Sequence, residues 1–443
     1  MSTIKWLKLL INSNKNSDLR HQLVQGAMGV GGLKLISLAL ALAASILLAR
    51  GLGPEGYGQY VFVMAIISML SLPVGPGVGK LIVREVARYH HEEEWGFFRG
   101  LLRRAHQWVL VGSLFMVLII SGFAAYLASW SLDDRWTLLL IGSLLLPLLG
   151  LNVLRYSMLQ GLRKVIYAQF PDLLARPGLH LLIAGALLLL GMLNTVTALA
   201  SQIAATAGAF LVGTWYLRRF SPRLVSSALP MYRDGEWGRA LLPFTLLAAV
   251  STLNGQIGIL VLGWLGTDAD VAVLQIAQNG SMLVVLSLTI INSVIGPHIT
   301  HVHRDKDRAR LQRLYRQSAR GALIIALPIA LPLIFFGEPI IHLVFGEAYA
   351  DSAVWSLAIL ATGQLVNVAF GSVGLFLIMS GYEGDSLMGQ VVGLTVNAVV
   401  AFLLIPRYGV DGAALSSAIG IVTWNVFLAF RFSQRLGFKP SVF

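Results

Sequence analysis

The chain of 443 residues contains no cysteine. Disulfide bonds, thiolate catalysis and cysteine-ligated metal sites are therefore excluded by composition alone. Charged residues are also scarce, since they make up 12% of the chain, whereas about a quarter of an average soluble domain is charged. Hydrophobic residues make up 56%. A composition this apolar indicates a membrane protein.

Long apolar runs recur along the whole chain, and a run of about 20 residues crosses a hydrocarbon core of roughly 30 Å as an α-helix. Their continuity excludes the alternating pattern of a membrane β-barrel. We predict an all-α polytopic membrane protein with about 12 transmembrane helices in two six-helix lobes, related by a pseudo-twofold axis along the membrane normal around a central cavity. The approximate spans are 27–49, 58–79, 107–128, 136–158, 172–191, 195–217, 240–262, 270–296, 321–337, 352–378, 387–405 and 411–431.

A weak internal repeat suggests the two lobes. An offset of 213 residues places "LGPE" (52–55) on "LGTD" (265–268), and the basic segment 84–104 on 297–317. Because the matches keep the order of the spans, we expect parallel repeats. The predicted organisation is a cytosolic N-terminal arm 1–26, an N-lobe 27–220, a cytosolic linker 221–239, a C-lobe 240–431 and a cytosolic tail 432–443.

The net charge of +12 follows the predicted topology. With both termini in the cytosol, only Arg50, Arg135 and Arg407 of the 33 basic residues fall in outer turns, as the positive-inside rule requires. The positive excess then faces anionic membrane lipids, so nucleic acid is not expected as a partner. The polar N-terminus does not resemble a cleaved signal peptide. The basic segments 80–104 and 297–320 are predicted to form helices that lie at the cytosolic interface.

Two motifs resemble ligand-binding sites but lack the residues that such sites need. "VGPGVGKL" (74–81) resembles a phosphate-binding loop, but it lacks the first glycine and the Ser or Thr after the lysine. Its prolines and glycines instead predict a break in the second span near the cytosolic end. The histidines of "PHITHVHRD" (297–305) have no acidic or cysteine partner at ligand spacing, so we predict no metal site and no cofactor.

The predicted membrane interior contains positive charge but no acid. All 21 Asp and Glu residues fall in loops or at span ends, which disfavours the carboxylate relay of cation-coupled exporters. Lys34 lies in the first span, and Arg176 lies in the fifth, one turn from His180. Each cation either faces a wet cavity or extends to the headgroups.

Uncharged polar residues also gather in the spans. Hydrogen bonding between helices explains each of them singly, and together they suit a hydrated path for a sugar-bearing cargo. They are Asn254, Gln256, Gln275, Gln278, Asn279, Asn292, Gln364, Asn367, Gln390, Asn397 and Asn425.

Three segments carry a family resemblance: "ILLARGLGPEGYGQYVFVMAI" (46–66), "HLVFGEAYADSA" (342–353) and "LLIPRYGVDGAALSSAIG" (403–420). They resemble recurrent segments of the polysaccharide transporters. These are the bacterial lipid-linked oligosaccharide flippases for O-antigen and related exopolysaccharides, within the multidrug/oligosaccharidyl-lipid/polysaccharide (MATE-like) superfamily. The resemblance runs through nearly the whole chain in order.

The resemblance implies two lobes in a V, a cavity that opens alternately to either side, and a cargo on an undecaprenyl pyrophosphate anchor in the bacterial inner membrane. It implies cavity cations that attract the pyrophosphate, at Lys34 and Arg50. For Arg50, a cap on the C-terminal carbonyls of its own helix is the favoured interpretation. Where relatives often carry an Asp in the seventh helix, this chain has Gly258, which argues against coupling through that acid. Polysaccharide polymerase and chain-length proteins are implied as further partners.

The predicted function is a flippase for a lipid-linked oligosaccharide, with no catalytic residues because no bond is made or broken. The first alternative is a multidrug or small-molecule exporter of the same architecture. The second is a membrane enzyme such as a glycan polymerase, for which the outer turns are too short to build a site. The predicted substrate-binding residues of the cavity are Lys34, Arg50, Arg176, His180, Asn254, Gln256, Gln278 and Asn367.

Overall fold

A computed structural model of the protein describes residues 17–128, 134–305, 307–438 and 440. Residues 1–16 of the predicted arm and residues 439 and 441–443 of the predicted tail lie outside the described residues. Every regular element in the described ranges is helical. The α-helices are α1 Ser17–Leu70, α2 Pro76–His91, α3 Trp95–Ala128, α4 Asp134–Ser143, α5 Leu145–Gly161, α6 Val165–Phe170, α7 Arg176–Leu189, α8 Thr195–Phe220, α9 Arg223–Ser227, α10 Asp234–Leu265, α11 Asp268–Arg304, α12 Arg308–Phe335, α13 Gly337–Phe345, α14 Glu347–Ala369, α15 Val373–Met379 and α16 Glu383–Leu436, with a π-helical turn at Pro171–Ala175.

The two longest helices each reverse direction at a glycine. In α1 the reversal is at Gly53, which has a φ of 69°, and in α16 it is at Gly409, with a φ of 52°. Glycine adopts these positive angles without the steric cost that other residues meet. The hydroxyls of Ser45 and Tyr57 lie 2.7 Å apart across the first reversal, although 12 residues of straight helix extend about 18 Å.

The reversals set the number of spans. Among the described residues, ten continuous helical stretches are long and apolar enough to cross a membrane. The stretch in α1 and the one in α16 each hold two antiparallel arms. The total is consistent with the twelve predicted spans.

The helix ends alternate between two faces of the molecule. The hairpin face carries the turns at Gly53, Gly191, Gly266, Gly346 and Gly409. The basic face carries the opposite helix ends, where cationic side chains concentrate. Among them are Arg84, Arg88, Arg103, Arg163, Lys164, Arg218, Arg219, Arg304 and Arg308. This asymmetry is the pattern of a multi-pass membrane protein.

Helix boundaries agree with the sequence repeat. The offset of 213 residues that aligns the two halves of the sequence places Gly53 on Gly266, and both are turns on the hairpin face. The same offset places the last residue of α2, His91, on the last residue of α11, Arg304. It also places the start of α3 on the start of α12. The fold is therefore consistent with a duplication, while the lobe boundaries themselves stay a prediction.

The predicted break in the second span is confirmed. The helix stops at Leu70, residues 71–75 form turns, and α2 begins at Pro76, where a missing N–H is tolerated. The glycines that follow allow close packing, since a Cβ at Gly77 would overlap Thr245 of α10. The break therefore lets the basic extension α2 approach a helix from the other half of the chain.

The basic segments 80–104 and 297–320 are helical as predicted, but neither forms one separate helix. Segment 80–104 holds most of the 16-residue α2, a short turn and the start of α3, whereas segment 297–320 holds the end of α11, a short turn and the start of α12. Their position at the membrane interface stays a prediction. The 34 residues of α3 and the 37 of α11 extend about 51 and 56 Å, beyond a hydrocarbon core of roughly 30 Å. A helix end that projects into water solvates its cations as well as a helix that lies flat at the interface does. The spacing of basic residues along the helix does not distinguish these two arrangements.

Contacts at the hairpin face join the N-terminal half (17–220) to the C-terminal half (234–438). The Tyr349 hydroxyl donates to the carbonyl of Ala49 at 2.9 Å. Arg135 forms an ion pair with Asp268 at 2.9 Å. A Cβ at Gly58 would overlap the carbonyl of Asp268, so glycine sets the closest approach of α1 to α11. The halves are therefore in direct contact on this face.

A second set of contacts joins the halves on the basic face. Trp237, at the start of α10, donates from Nε1 to the hydroxyl of Tyr89 at 3.0 Å. Arg104 pairs with Asp234 at 2.6 Å. The first turns of α10 therefore rest on α2 and α3, whereas Asn254, further along α10, donates to the carbonyl of Gln390 in α16 at 3.1 Å.

The first prediction concerns Gly58. Gly58→Ala forces the Asp268 backbone away and lowers the midpoint of thermal unfolding of the purified protein, since overpacking costs about 1–3 kcal/mol. The matched control is Gly255→Ala in α10, where no atom lies within 4 Å of the added Cβ and alanine gains helix propensity. Equal midpoints for the two variants would contradict the close packing at Gly58.

Candidate functional site: a cavity between the two halves

A cavity of about 470 Å³ lies between the halves. The N-terminal half supplies both arms of α1 together with α5, the π-helical turn, α7 and α8, and the C-terminal half supplies α10 and α11. Its wall mixes apolar side chains with a polar set. The polar members are Ser37, Ser45, Tyr57, Tyr60, Ser68, Asp172, Arg176, His180, Gln202, Gln256, Gln275 and Asn279.

A chain of hydrogen bonds crosses the cavity wall from one half to the other. Gln275 donates to Asn279 at 2.8 Å, and Asn279 donates to the hydroxyl of Ser45 at 2.7 Å. The hydroxyl of Ser45 also forms a hydrogen bond with the hydroxyl of Tyr57. Because Ser45 and Tyr57 flank the reversal of α1 at Gly53, this chain links the halves on the hairpin-face side of the cavity.

Aromatic rings continue this wall. Tyr57 stacks on Tyr60 with ring centroids 6.5 Å apart, and Tyr60 stacks on His180 at 6.2 Å. A hydrogen bond joins His180 to the backbone of Ala198, and its Nε2 atom has no hydrogen-bond partner among the described residues. The stacked rings bury the imidazole beside the cavity.

The charged side chains of the cavity wall come from one segment, which consists of the π-helical turn and the start of α7. Pro177 has no N–H to offer the carbonyl of residue 173, and the N–H of Arg176 bonds the carbonyl of Pro171 across a wider turn. Such turns are frequent at functional sites. The turn places Asp172 and Arg176 in the cavity wall.

Three predicted site residues lie in this cavity: Arg176 and His180 from the N-terminal half and Gln256 from the C-terminal half. Lys34 lies one turn toward the basic face from Ser37, on the side of α1 that lines the cavity through Ser37, Ala41 and Ser45. The Lys34 side chain is exposed. It is therefore placed at the edge of the cavity rather than in its wall.

The other four predicted site residues lie elsewhere. Arg50 donates from Nε to the carbonyl of Val344 at 2.9 Å and from Nη2 to that of Leu343. It therefore binds the C-terminal carbonyls of α13 in the opposite half. Asn254 bonds α16 as described above. Asn367 accepts from Asn425 at 2.9 Å within the C-terminal half, and Gln278 is half-buried outside the cavity wall.

Sequence reasoning missed several residues of the site. Asp172, which the predicted spans place at the end of the fifth span, is the eighth residue of the membrane-length stretch Val165–Leu189 and lines the cavity. Arg155, a third cation inside a span, is 2% exposed and lies 3.9 Å from Asp172. The sequence signal for a charged pair here is the spacing of four residues between Asp172 and Arg176, which places them on one face of a helix. Nothing in the local pattern marked Ser45 or Tyr57.

Comparison with solved structures defines the class of fold. The chain superposes on a multidrug resistance MATE family transporter of the MOP superfamily in its inward-facing conformation, with a TM-score of 0.75 over 90% of this chain and 94% of that one, at 16% identity. It superposes on the lipid II flippase MurJ, in an inward closed conformation, with a TM-score of 0.72 over 92% and 87%, at 14% identity. The fold is that of a MATE-like helical membrane transporter.

Sequence comparison then gives the family. Residues 47–354 match the protein family described as "Polysaccharide biosynthesis protein". The chain belongs to that family. A putative O-antigen transporter of Shigella flexneri is 22% identical over 87% of this chain and 92% of its own length. The probable low-salt glycan biosynthesis flippase Agl15 of Haloferax volcanii is 20% identical over 53% of this chain. The matched part spans about half the length of Agl15 and of the capsular polysaccharide biosynthesis protein CapF of Staphylococcus aureus.

The second prediction uses the natural absence of cysteine. Ser37→Cys and Ser68→Cys place single thiols in the cavity wall, and we expect both to react with a small polar methanethiosulfonate reagent in the purified protein. Ser416→Cys is the control, because Ser416 is fully buried and donates to the carbonyl of Ala413. Equal labelling of all three thiols, measured by mass spectrometry, would contradict the assigned cavity.

Proposed function

We propose that the protein is a flippase that moves a lipid-linked oligosaccharide from the cytosolic to the periplasmic leaflet by alternating access. The observation that carries this proposal is a polar cavity between two halves that touch at the hairpin face, lined by the guanidinium of Arg176, which has no ion pair or hydrogen bond within the described part of the chain. Membership of the polysaccharide biosynthesis family supports a glycan cargo. The named function of the Shigella relative, which matches most of both chains, points the same way.

The cavity suits the part of the cargo that hydrocarbon excludes. A volume of about 470 Å³ falls within the roughly 300–1,000 Å³ of ligand pockets. It accommodates a headgroup-sized portion, with the phosphates near Arg176 and the prenyl chain remaining in lipid. We infer an undecaprenyl pyrophosphate carrier, because one diphosphate supplies the anion that this cation attracts.

Orientation follows from charge. The basic face is assigned to the cytosol of the bacterial inner membrane, with both termini on that side. An inside-negative potential then favours outward movement of an anionic headgroup by about 2.3 kcal/mol per charge per 100 mV. No covalent step is assigned to the protein. Anionic lipids contact the basic face, and polysaccharide polymerase and chain-length proteins act on the delivered glycan.

The third prediction tests transport in cells. Deletion of the gene makes the lipid-linked glycan accumulate in the cytosolic leaflet, and wild-type protein reverses this. Arg176→Ala fails to reverse it, because loss of a charged hydrogen bond of about 1.5–3 kcal/mol weakens headgroup binding by roughly 10- to 100-fold. Lys34→Ala has a smaller effect because that cation lies at the cavity edge. Leaflet-specific labelling of the glycan measures both effects.

The control for this experiment is Arg310→Ala, since the Arg310 side chain is exposed on the basic face outside the cavity. It should restore export fully. An unchanged glycan distribution on deletion, together with altered drug sensitivity, would overturn the proposal in favour of a small-molecule exporter of the same fold.

A further inference from the structure

Arg155 is a buried cation inside the N-terminal half. From α5 it reaches α8, where Nη1 donates to the carbonyls of Ala209 at 3.0 Å and Phe210 at 2.8 Å. Its Nε and Nη2 atoms are buried without a hydrogen-bond partner among the described residues. Leaving such groups unpaired in a low-dielectric interior is costly. The position therefore requires a compensating charge nearby.

The neighbouring helix leaves room for this guanidinium. A Cβ at Gly213 of α8 would overlap Nε and Cζ of Arg155. The ring of Phe210 lies 5.6 Å from Cζ, within reach of a cation–π contact. Arg155 is therefore held in a site shaped for it.

Asp172 supplies the compensating charge. One of its carboxylate oxygens lies 3.9 Å from Nη2 of Arg155, and the carboxylate is 25% exposed while the guanidinium is 2% exposed. Asp172 thus stands between the buried cation behind the wall and the cavity in front of it.

A second cation competes for the same acid. Arg176 follows Asp172 by four residues, the spacing at which an acid and a base on one helix can pair. Arg176 nevertheless has no ion pair or hydrogen bond among the described residues, whereas Asp172 pairs with Arg155. Burial explains the choice, because the attraction between charges strengthens as the local dielectric falls.

We propose that Arg155 is a positioning residue that holds the Asp172 carboxylate away from Arg176, so that the Arg176 guanidinium stays available in the cavity for an anionic group of the cargo. The part of this inference that concerns cargo rests on the proposed function. The pairing itself does not. Arg155 never touches the cargo and acts through the acid that it holds.

The fourth prediction measures the availability of Arg176 with phenylglyoxal, a reagent for unpaired arginine, on the purified full chain. Arg155→Met frees Asp172 to pair with Arg176 and slows modification of Arg176 by roughly fivefold, the equivalent of about 1 kcal/mol. Arg155→Lys, which keeps the charge at similar size, preserves the wild-type rate. In the double variant Arg155→Met, Asp172→Asn the rate returns, because no carboxylate remains to cover Arg176.

The exposed Arg103 on the basic face serves as the internal standard in each digest. Asp172→Asn alone gives a further test that leaves Arg155 in place. We expect it to leave the rate at Arg176 unchanged, since Asp172 does not cover Arg176 in the native protein. A faster rate in Asp172→Asn, or an unchanged rate in Arg155→Met, would overturn the positioning role.

Transport separates this inference from the proposed function. Arg155→Met should lower glycan flipping, and addition of Asp172→Asn should restore it. If the phenylglyoxal rates follow the predicted order while Arg155→Met flips glycan normally, the link between Arg176 and cargo is overturned and the flippase activity stands. Failure of the wild-type protein to flip glycan overturns the proposed function instead, and the phenylglyoxal rates still decide the pairing.

Discussion

The close packing of α1 against α11 is the contact on which the cavity depends. Without a solvent-driven hydrophobic effect inside a bilayer, helices associate through close approach at small residues and through hydrogen bonds. Both devices occur here. Gly58 lets the second arm of α1 reach the Asp268 backbone, and Asn279 bonds Ser45 across the same interface. Loosening this contact removes the boundary between the cavity and the hairpin face.

The family-like segments of the sequence meet at this same face. The first contains the reversal at Gly53, the second the turn at Gly346 and the third the reversal at Gly409. Arg50 and Ala49 of the first segment bond to Val344 and Tyr349 of the second. These segments therefore hold turn glycines and contacts between the halves, which are needed whatever sugar is carried. This explains why such segments identify a superfamily better than a substrate.

The cavity depends on charge rather than on close packing, because a few charged side chains lie in a wall of low dielectric constant. Asp172 lies within reach of two cations, one buried and one facing the cavity. Because Asp172 pairs with the buried cation, the Arg176 guanidinium faces the space where an anionic headgroup would lie without a carboxylate partner among the described residues. An ion pair between Asp172 and Arg176 would instead have left the unpaired positive charge on Arg155, behind the cavity wall.

Much of the membrane fold was predictable, because apolar run length and proline position act locally. The break after Leu70 and the cavity positions of Arg176, His180 and Gln256 follow from such local patterns. Partner choice is not local. Asn254 and Asn367 have the same chemistry as Gln256, yet they bond neighbouring helices of the C-terminal half. The buried position of Arg155 could not be predicted locally, because the space for its guanidinium depends on Gly213 of another helix.

Alternating access requires the two halves to separate at the hairpin face, and a reversible cross-link tests this most directly. Arg50→Cys with Leu343→Cys spans the halves at an observed contact. His342→Cys with Glu347→Cys, whose native side chains lie 3.5 Å apart, spans a contact within one half. In reconstituted vesicles, a thiol-cleavable bismaleimide should stop glycan flipping in the first variant until the linker is cleaved, and should leave the second unaffected. Continued flipping by the fully cross-linked first variant would contradict the account.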